Sequence, residues 1–233
     1  GERIVVTGNA DPRLHEAIEA KDEKEALRLL DAHPELVHGR DSDGNTPLHR
    51  AVLKQCSTLA RRLLAAGAPI DATNHGGFRP VHHGYWEGRW SMLRDDRAAG
   101  MGLMLLDAGA KDSITLAAAR GDMCAVKCYL AGSEALANDG DTLEKRPLST
   151  AVDRGDQEML KVLLEHGAAP NLREGPAHPY GSGLMTASVN DDIEIAALLL
   201  EAGANPNGYV DSSGTPTGRA HSDAMRGLMY AYG

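Results

Sequence analysis

The chain has 233 residues and a formal net charge of −9; 42% of its residues are hydrophobic and 24% are charged. This balance is ordinary for a soluble globular protein with a sizeable core. The acidic excess argues against nonspecific binding to nucleic acid or to an anionic membrane, because such binding relies on a basic surface. No stretch approaches the roughly 18 apolar residues of a membrane span, and no signal-peptide pattern opens the chain.

The three cysteines are Cys56, Cys124 and Cys128. An odd number in a chain of this size indicates a reducing compartment, so we expect a cytoplasmic protein with free thiols. Cys124 and Cys128 would share one helix face, and a metal or redox pair there is the alternative. Structural zinc takes four ligands, however, and no further soft ligand lies nearby in sequence. We therefore predict neither a metal nor a cofactor.

Three long segments repeat a common pattern of a helix start, an alanine, a short break and the sequence LL-x-x-GA. They run from Asp41 to Ala72, from Arg146 to Asn171 and from Ser182 to Asn207. Thr46 is suited to cap a first helix, and Pro47 in its first turn costs no hydrogen bond. Glycines end the second helices, since the conformation needed there favours glycine: Gly67, Gly109, Gly167 and Gly203.

These segments resemble ankyrin repeats, whose unit is about 33 residues long with a T-P-L-H-x-A signature. The sequence from Thr46 to Ala51 matches that signature in full. The resemblance implies an all-α solenoid of stacked helix–turn–helix units. Each unit begins with an entry turn, called the finger, which leads into the first of its two helices. The fingers and first helices line a concave face that binds partners. We predict an N-terminal extension over 1–10 and seven repeats over 11–233, at approximately 11–40, 41–72, 73–112, 113–139, 140–171, 172–207 and 208–233.

The repeats also echo each other at a spacing of 100 residues. Leu30, Pro47 and Leu63 recur as Leu130, Pro147 and Leu163, for example. This spacing indicates that a pair of repeats was duplicated.

The third repeat breaks the pattern. From Arg79 to Gly109 it is nine residues longer than from Thr46 to Gly67, which predicts an insertion at approximately 89–100. Gly84 replaces the usual alanine and would let something approach the first helix. Four of the nine aromatic residues also lie here, between Phe78 and Trp90. A local departure of this kind is where function concentrates.

The repeat register places His83, Trp86 and Glu87 on the concave face, at positions equivalent to Arg50, Leu53 and Lys54. The candidate binding residues are on this face, in the insertion or at a finger tip: His75, His83, Trp86, Arg89, Trp90, Arg94, Arg50, Asp153, Arg154 and Asn190. Purely structural roles for these residues remain open as alternatives. His82 would brace its turn, Trp86 and Trp90 would roof the insertion, and the arginines would be solvated loop charges.

Two functions follow. The first is a binding module that holds a protein or peptide on the concave face, with the third-repeat insertion as the functional part. The second is an enzyme or a binder of a small polar or anionic ligand at the insertion. Its acid–base candidates are His83, Tyr85, Glu87, Asp95, Asp96, His178 and Tyr180. A closed pocket at the insertion would favour the second function, and an open surface would favour the first.

Overall fold

A computed structural model describes residues 12–87, 91–92, 96–173, 182–208 and 214–233. The chain divides into two compact units, the N-terminal unit (residues 1–111) and the C-terminal unit (residues 112–233). In the described parts both units are built from short antiparallel helices, so the predicted all-α class is confirmed.

The part of the N-terminal unit that the structure describes contains five α-helices, two 3-10 helices and one pair of short strands. They are α1 (Arg13–Glu19), α2 (Glu23–Ala32), a 3-10 helix (Pro34–His38), α3 (Pro47–Leu53), α4 (Ser57–Ala65), a 3-10 helix (Pro80–Gly84), β1 (Trp86–Glu87), β2 (Ser91–Met92) and α5 (Asp96–Asp107). The two strands are antiparallel and pair Trp86 with Met92 and Glu87 with Ser91.

The described part of the C-terminal unit contains eight α-helices and one 3-10 helix. They are α6 (Ile114–Arg120), α7 (Met123–Gly132), a 3-10 helix (Glu134–Asn138), α8 (Pro147–Arg154), α9 (Gln157–Glu165), α10 (Gly183–Asn190), α11 (Ile193–Glu201), α12 (Pro216–Arg219) and α13 (Asp223–Tyr232).

Local sequence explains where these helices begin and end. The Thr46 hydroxyl and the His49 side chain form a capping box at the start of α3. Aspartates accept a backbone N–H bond at the start of the second helix of four repeats: Asp22, Asp122, Asp156 and Asp192. The predicted glycines Gly67, Gly109, Gly167 and Gly203 all have positive φ, which terminates the helices without a steric cost.

The secondary structure repeats with the same spacing of 100 residues as the sequence. The 3-10 helices Pro34–His38 and Glu134–Asn138 start and end 100 residues apart. The helices on either side keep the same offset: α2 corresponds to α7, α3 to α8 and α4 to α9, with shifts of at most one residue at their ends.

Neighbouring repeats are joined by buried polar side chains as well as apolar ones. In the N-terminal unit, His15 Nε2 donates to Asn45 O at 3.1 Å and His49 Nε2 donates to Phe78 O at 2.9 Å. Thr115 Oγ1 makes the corresponding bond to Lys145 O in the C-terminal unit. Because these carbonyls are buried and need a donor, each bond links a first helix to the following repeat.

The third repeat departs from its neighbours more than its length predicts. Where the second repeat has α3, it has only the five-residue 3-10 helix Pro80–Gly84, and the hairpin follows at once. The insertion was predicted at 89–100, but residues 96–100 already belong to α5. The first helix of this repeat thus stops at Gly84, before the predicted insertion begins, and α5 begins at Asp96, before the predicted insertion ends.

Two further sequence predictions concern the cysteines and membrane spans. All three cysteines have free thiols; Cys56 is buried, and Cys124 and Cys128 are exposed. Within the described ranges, no helix combines the length and the apolar character needed to cross a bilayer.

Candidate functional site

The centre of the third repeat is a cluster of contacting aromatic and imidazole rings. The His83 imidazole lies parallel to the Phe78 ring, with 5.0 Å between the centroids, and edge-on to His49 at 5.8 Å. His83 is only 6% exposed. Among the described residues, neither of its ring nitrogens has a hydrogen-bond partner. His83 was predicted to face the concave surface, and that placement is wrong.

Trp86 is also buried. Its exposed fraction is 0%, and its indole lies edge-on to His82 at 5.9 Å and to Tyr85 at 6.2 Å. Its predicted position on the concave face is therefore wrong. The first helix ends at Gly84, so Trp86 lies on a strand, and the helical register that placed it outside does not apply. The structure favours the interpretation of Trp86 as the roof of the insertion.

Gly84 allows two backbones to meet. A Cβ atom at this position would lie 2.6 Å from Gly102 Cα in α5, and a Cβ at Gly102 would lie 2.6 Å from the Tyr85 ring. Real Cβ contacts are not this short, so both glycines are required for the observed packing. The group that approaches Gly84 is therefore α5 of the same repeat rather than a ligand.

Gly84→Ala is expected to lower the free energy of unfolding by about 1–3 kcal/mol, because α5 must move away and the packing at Tyr85 is lost. Gly227→Ala is the matched control: it is a helical glycine with open space around it, and alanine there should stabilise the protein by up to about 1 kcal/mol. Urea denaturation followed by circular dichroism measures both. Equal effects of the two substitutions would contradict the close approach.

Burial sets the charge state of His83 and His49. Desolvation lowers the pKa of His83 to about 3, with a further contribution from His49 and Arg50. Desolvation likewise lowers the pKa of His49 to about 4, against the hydrogen bond to Phe78. Both rings are thus neutral near pH 7. His49 Nδ1 accepts the Thr46 N–H at 3.1 Å, which fixes the tautomer with its proton on Nε2.

Arg50 was predicted to bind a partner, and the structure gives its guanidinium three carboxylate neighbours. Nε donates to Asp41 at 2.6 Å, one Nη to Glu19 at 2.9 Å and the other to Asp43 at 3.4 Å. Asp41 is 1% exposed. Burial alone would raise the Asp41 pKa, but bonds from Asn45 and Arg50 outweigh it and hold the pKa below its ordinary value. Arg50 thus ties the finger to the first helices.

His75 lies at an exposed finger tip. Its backbone N–H donates to Asp43 O at 2.9 Å, and its ring rests on Gly44, where a Cβ would lie 2.7 Å from the imidazole. Gly44 has positive φ. The tip is therefore fixed by the finger before it, while the imidazole stays accessible.

The C-terminal unit holds three of the predicted binding residues. Asp153 and Arg154 are half-buried at the end of α8, and Arg154 Nη1 donates to Ala119 O at 2.7 Å. Asn190 is exposed at the end of α10.

The remaining candidates fall where the structure gives no side-chain description. Glu87 and Asp96 lie in β1 and α5, but their side chains are not described. Arg89, Trp90, Arg94, Asp95, His178 and Tyr180 lie outside the described residues.

Two cavities in the described part of the chain are not lined by any residue of the ring cluster. They lie along α4 and α5, with volumes of about 870 and 560 Å³. Their walls include Lys21, Arg61, Met101 and Met104, which the sequence analysis did not single out. The sequence did hold one indication of an unusual turn at this site. Lys21 stands 100 residues before Gly121, and both residues have positive φ, which favours glycine.

The geometry defines a helical-repeat protein with one modified repeat. Sequence models described as ankyrin repeats match residues 29–79 and 114–209. The putative ankyrin repeat protein YahD of Escherichia coli (strain K12) is 30% identical over 170 residues, which cover 70% of this chain and 83% of YahD. The chain belongs to the ankyrin-repeat family, and by class it is a protein-interaction module.

Other similar proteins extend the comparison. The B-cell lymphoma 3 protein homolog of Mus musculus is 30% identical over 202 residues; these cover 81% of this chain but 43% of that protein, so the chain spans less than half of it. The structure of the human ASB11 ankyrin repeat domain superposes with a TM-score of 0.53 at 23% identity, covering 94% of this chain and 97% of that domain. At this identity the similarity supports the fold alone.

Proposed function

We propose that this chain holds a segment of a partner protein on the face formed by its fingers and first helices, with the third-repeat insertion as the main contact. The anchoring of the insertion carries this proposal. Trp86 is completely buried at the start of the hairpin, and the strands are paired in register. Extra length that was merely tolerated would not need a tryptophan in the core, whereas binding loops are held by rigid scaffolds.

The polar residues beside the insertion support the same face. Asp43 is exposed and bonded to Arg50, and His75 is fixed at the neighbouring tip. Charged groups that are already held in place lose less conformational freedom when a partner binds. The face is therefore suited to a polar or charged segment.

The alternative of an enzyme, or of a small ligand at the insertion, receives no comparable support. His83 and Tyr85 are buried, and the two cavities named above are lined by neither of them. We therefore base the proposed function on protein binding.

A triple variant of the insertion tests the proposal. Arg89→Ala/Trp90→Ala/Arg94→Ala should lose at least tenfold in affinity for partners captured by the wild-type chain, while its circular dichroism and melting temperature stay unchanged. Arg28→Ala/Arg226→Ala/Tyr230→Ala likewise removes two arginines and one aromatic residue, from other exposed positions, and should keep the partners. Captured proteins are identified by mass spectrometry and their affinities measured by calorimetry. Equal binding by both triple variants would contradict the proposal.

A further inference from the structure

A trough runs between α4 and α5 of the N-terminal unit. The two cavities of about 870 and 560 Å³ share Arg61, Gly100 and Met104, so they form one continuous depression. It extends along α5 from Gly100 to Ala108, which is about 12 Å at 1.5 Å per residue. The trough is thus elongated and open, unlike the compact cavity that encloses a small molecule.

The modified third repeat explains why the trough exists. Three other pairs of second helices from successive repeats pack on each other: α2 on α4, α9 on α11 and α11 on α13. The α5 helix packs most extensively on the 3-10 helix Pro80–Gly84 instead, where Gly84 and Gly102 let the backbones meet. Its side toward α4 is left without a comparable partner among the described helices.

The floor of the trough is apolar and adaptable. Met101 is buried, Met104 and Leu64 are half-buried, and Leu103 is 47% exposed. Gly100 has open space where a side chain would lie. Methionine side chains adjust to varied apolar surfaces and are common in sites that accept helices.

One end of the trough is positive. Lys21, Lys24 and Arg61 line it, and none of the three has an ion pair with any residue that the structure describes. The helices α2 and α4 both begin here, which adds the partial positive charge of two helix N-termini. Two carboxylates also line this end: Asp22, which caps α2, and Glu23, which lies beside Cys56. Against the three cations they leave an excess of one positive charge.

The turns at this positive end keep side chains in spite of a backbone cost. Lys21 and Gln55 have φ of 55° and 59°, a region that costs a residue with a side chain roughly 1–2 kcal/mol. At the positions 100 residues later the C-terminal unit has Gly121 and Gly155, also at positive φ, whereas its turn between α10 and α11 has Asp191 at a φ of 55°. The far end of the trough carries Asp107, so charge changes sign along its length.

We infer that this trough is a second docking site, separate from the finger face, and that it takes an amphipathic helix of a partner protein. The partner helix runs antiparallel to α4, with Asp or Glu side chains at its C-terminal end over Lys21, Lys24 and Arg61. Its Leu-like face rests on Met101 and Met104. A trough of about two turns with an apolar floor is a surface on which amphipathic helices dock, and the antiparallel direction matches the helix dipoles.

The test uses a helix-stabilised peptide of about 14 residues with Lys at its N-terminal end, a leucine face and Glu at its C-terminal end. Methionine methyl NMR of the full chain is the readout. Addition of the peptide should shift the Met101 and Met104 methyl signals and leave those of Met159, Met185, Met225 and Met229 unchanged. A peptide with Gln in place of Glu should bind at least fivefold more weakly.

Matched variants locate the site. Gly100→Trp fills the trough and should weaken peptide binding at least tenfold, whereas Gly227→Trp, at another open helical glycine, should not change it. The insertion variant Arg89→Ala/Trp90→Ala/Arg94→Ala should bind the peptide normally, which separates this site from the proposed function. No binding of the peptide below about 1 mM, equal binding by Gly100→Trp, or equal binding of the Gln peptide would each overturn the inference.

Discussion

Trp86→Ala is expected to lower the free energy of unfolding by about 3–5 kcal/mol, the range for removing a buried tryptophan. The indole is completely buried and contacts the rings of His82, in the 3-10 helix, and Tyr85. Alanine would leave a cavity at the point where the insertion is anchored. The loss should therefore appear as faster amide exchange in β1 and α5 as well as in denaturation by urea.

The control for this substitution is Tyr230→Ala. Tyr230 is 71% exposed on α13, so its removal should change stability by no more than about 0.5 kcal/mol. A loss of less than about 1 kcal/mol for Trp86→Ala would show that the indole is not part of the core. In that case the tryptophan would return to the candidate contact residues of the insertion.

Acid is expected to destabilise the N-terminal unit well before its carboxylates titrate. His83 and His49 have pKa values of about 3 and about 4 in the folded chain, against an ordinary value of 6.5. The unfolded chain binds protons at these sites below pH 6.5, while the folded chain does not. The stability from the neutral rings is therefore complete above pH 6.5 and is lost as pH falls toward 4.

The slope of the unfolding free energy against pH follows from the difference in bound protons between the folded and unfolded chains. Each histidine should cost about 1.4 kcal/mol per pH unit inside this window, so the two together lower the unfolding free energy on the order of 5 kcal/mol by pH 4. Burial lowers the pKa of His15 as well, which adds in the same direction. The stability contributed by Asp41 is lost only as pH falls below its ordinary pKa of 3.8. The histidines and Asp41 therefore lower stability in different pH ranges.

Urea denaturation at pH 7.5, 6.5, 5.5 and 4.5 measures the slope. His83→Phe keeps a ring against Phe78 and should reduce the slope by about one proton, or about 1.4 kcal/mol per pH unit. His33→Gln, at a histidine whose side chain is 46% exposed, should leave it unchanged. A wild-type stability that is flat from pH 7.5 to 5 would contradict the burial of these rings.

The sequence by itself determined the repeat architecture. Helix starts are local signals: Thr46 and Asp122 cap helices a few residues away, and the glycines at positive φ end them. A 100-residue spacing is also visible without coordinates. Family membership follows from the same motifs, because each repeat carries its own caps and apolar seam and buries that seam only against its neighbours.

The tertiary structure decided which way the modified repeat faces. The sequence located the cluster around His83 and Trp86, but the assumed helical register put both residues outside. The first helix ends at Gly84 because α5 approaches it at Gly102, and that contact joins residues eighteen positions apart. Sequence patterns that act over a few residues, such as capping, cannot predict a contact at this separation. The same packing of α5 on the 3-10 helix leaves the trough beside Gly100, which has open space around it. Capping acts within one helical turn and can be predicted from sequence. The burial of a side chain depends on which distant element packs against it, and only the tertiary structure decides that.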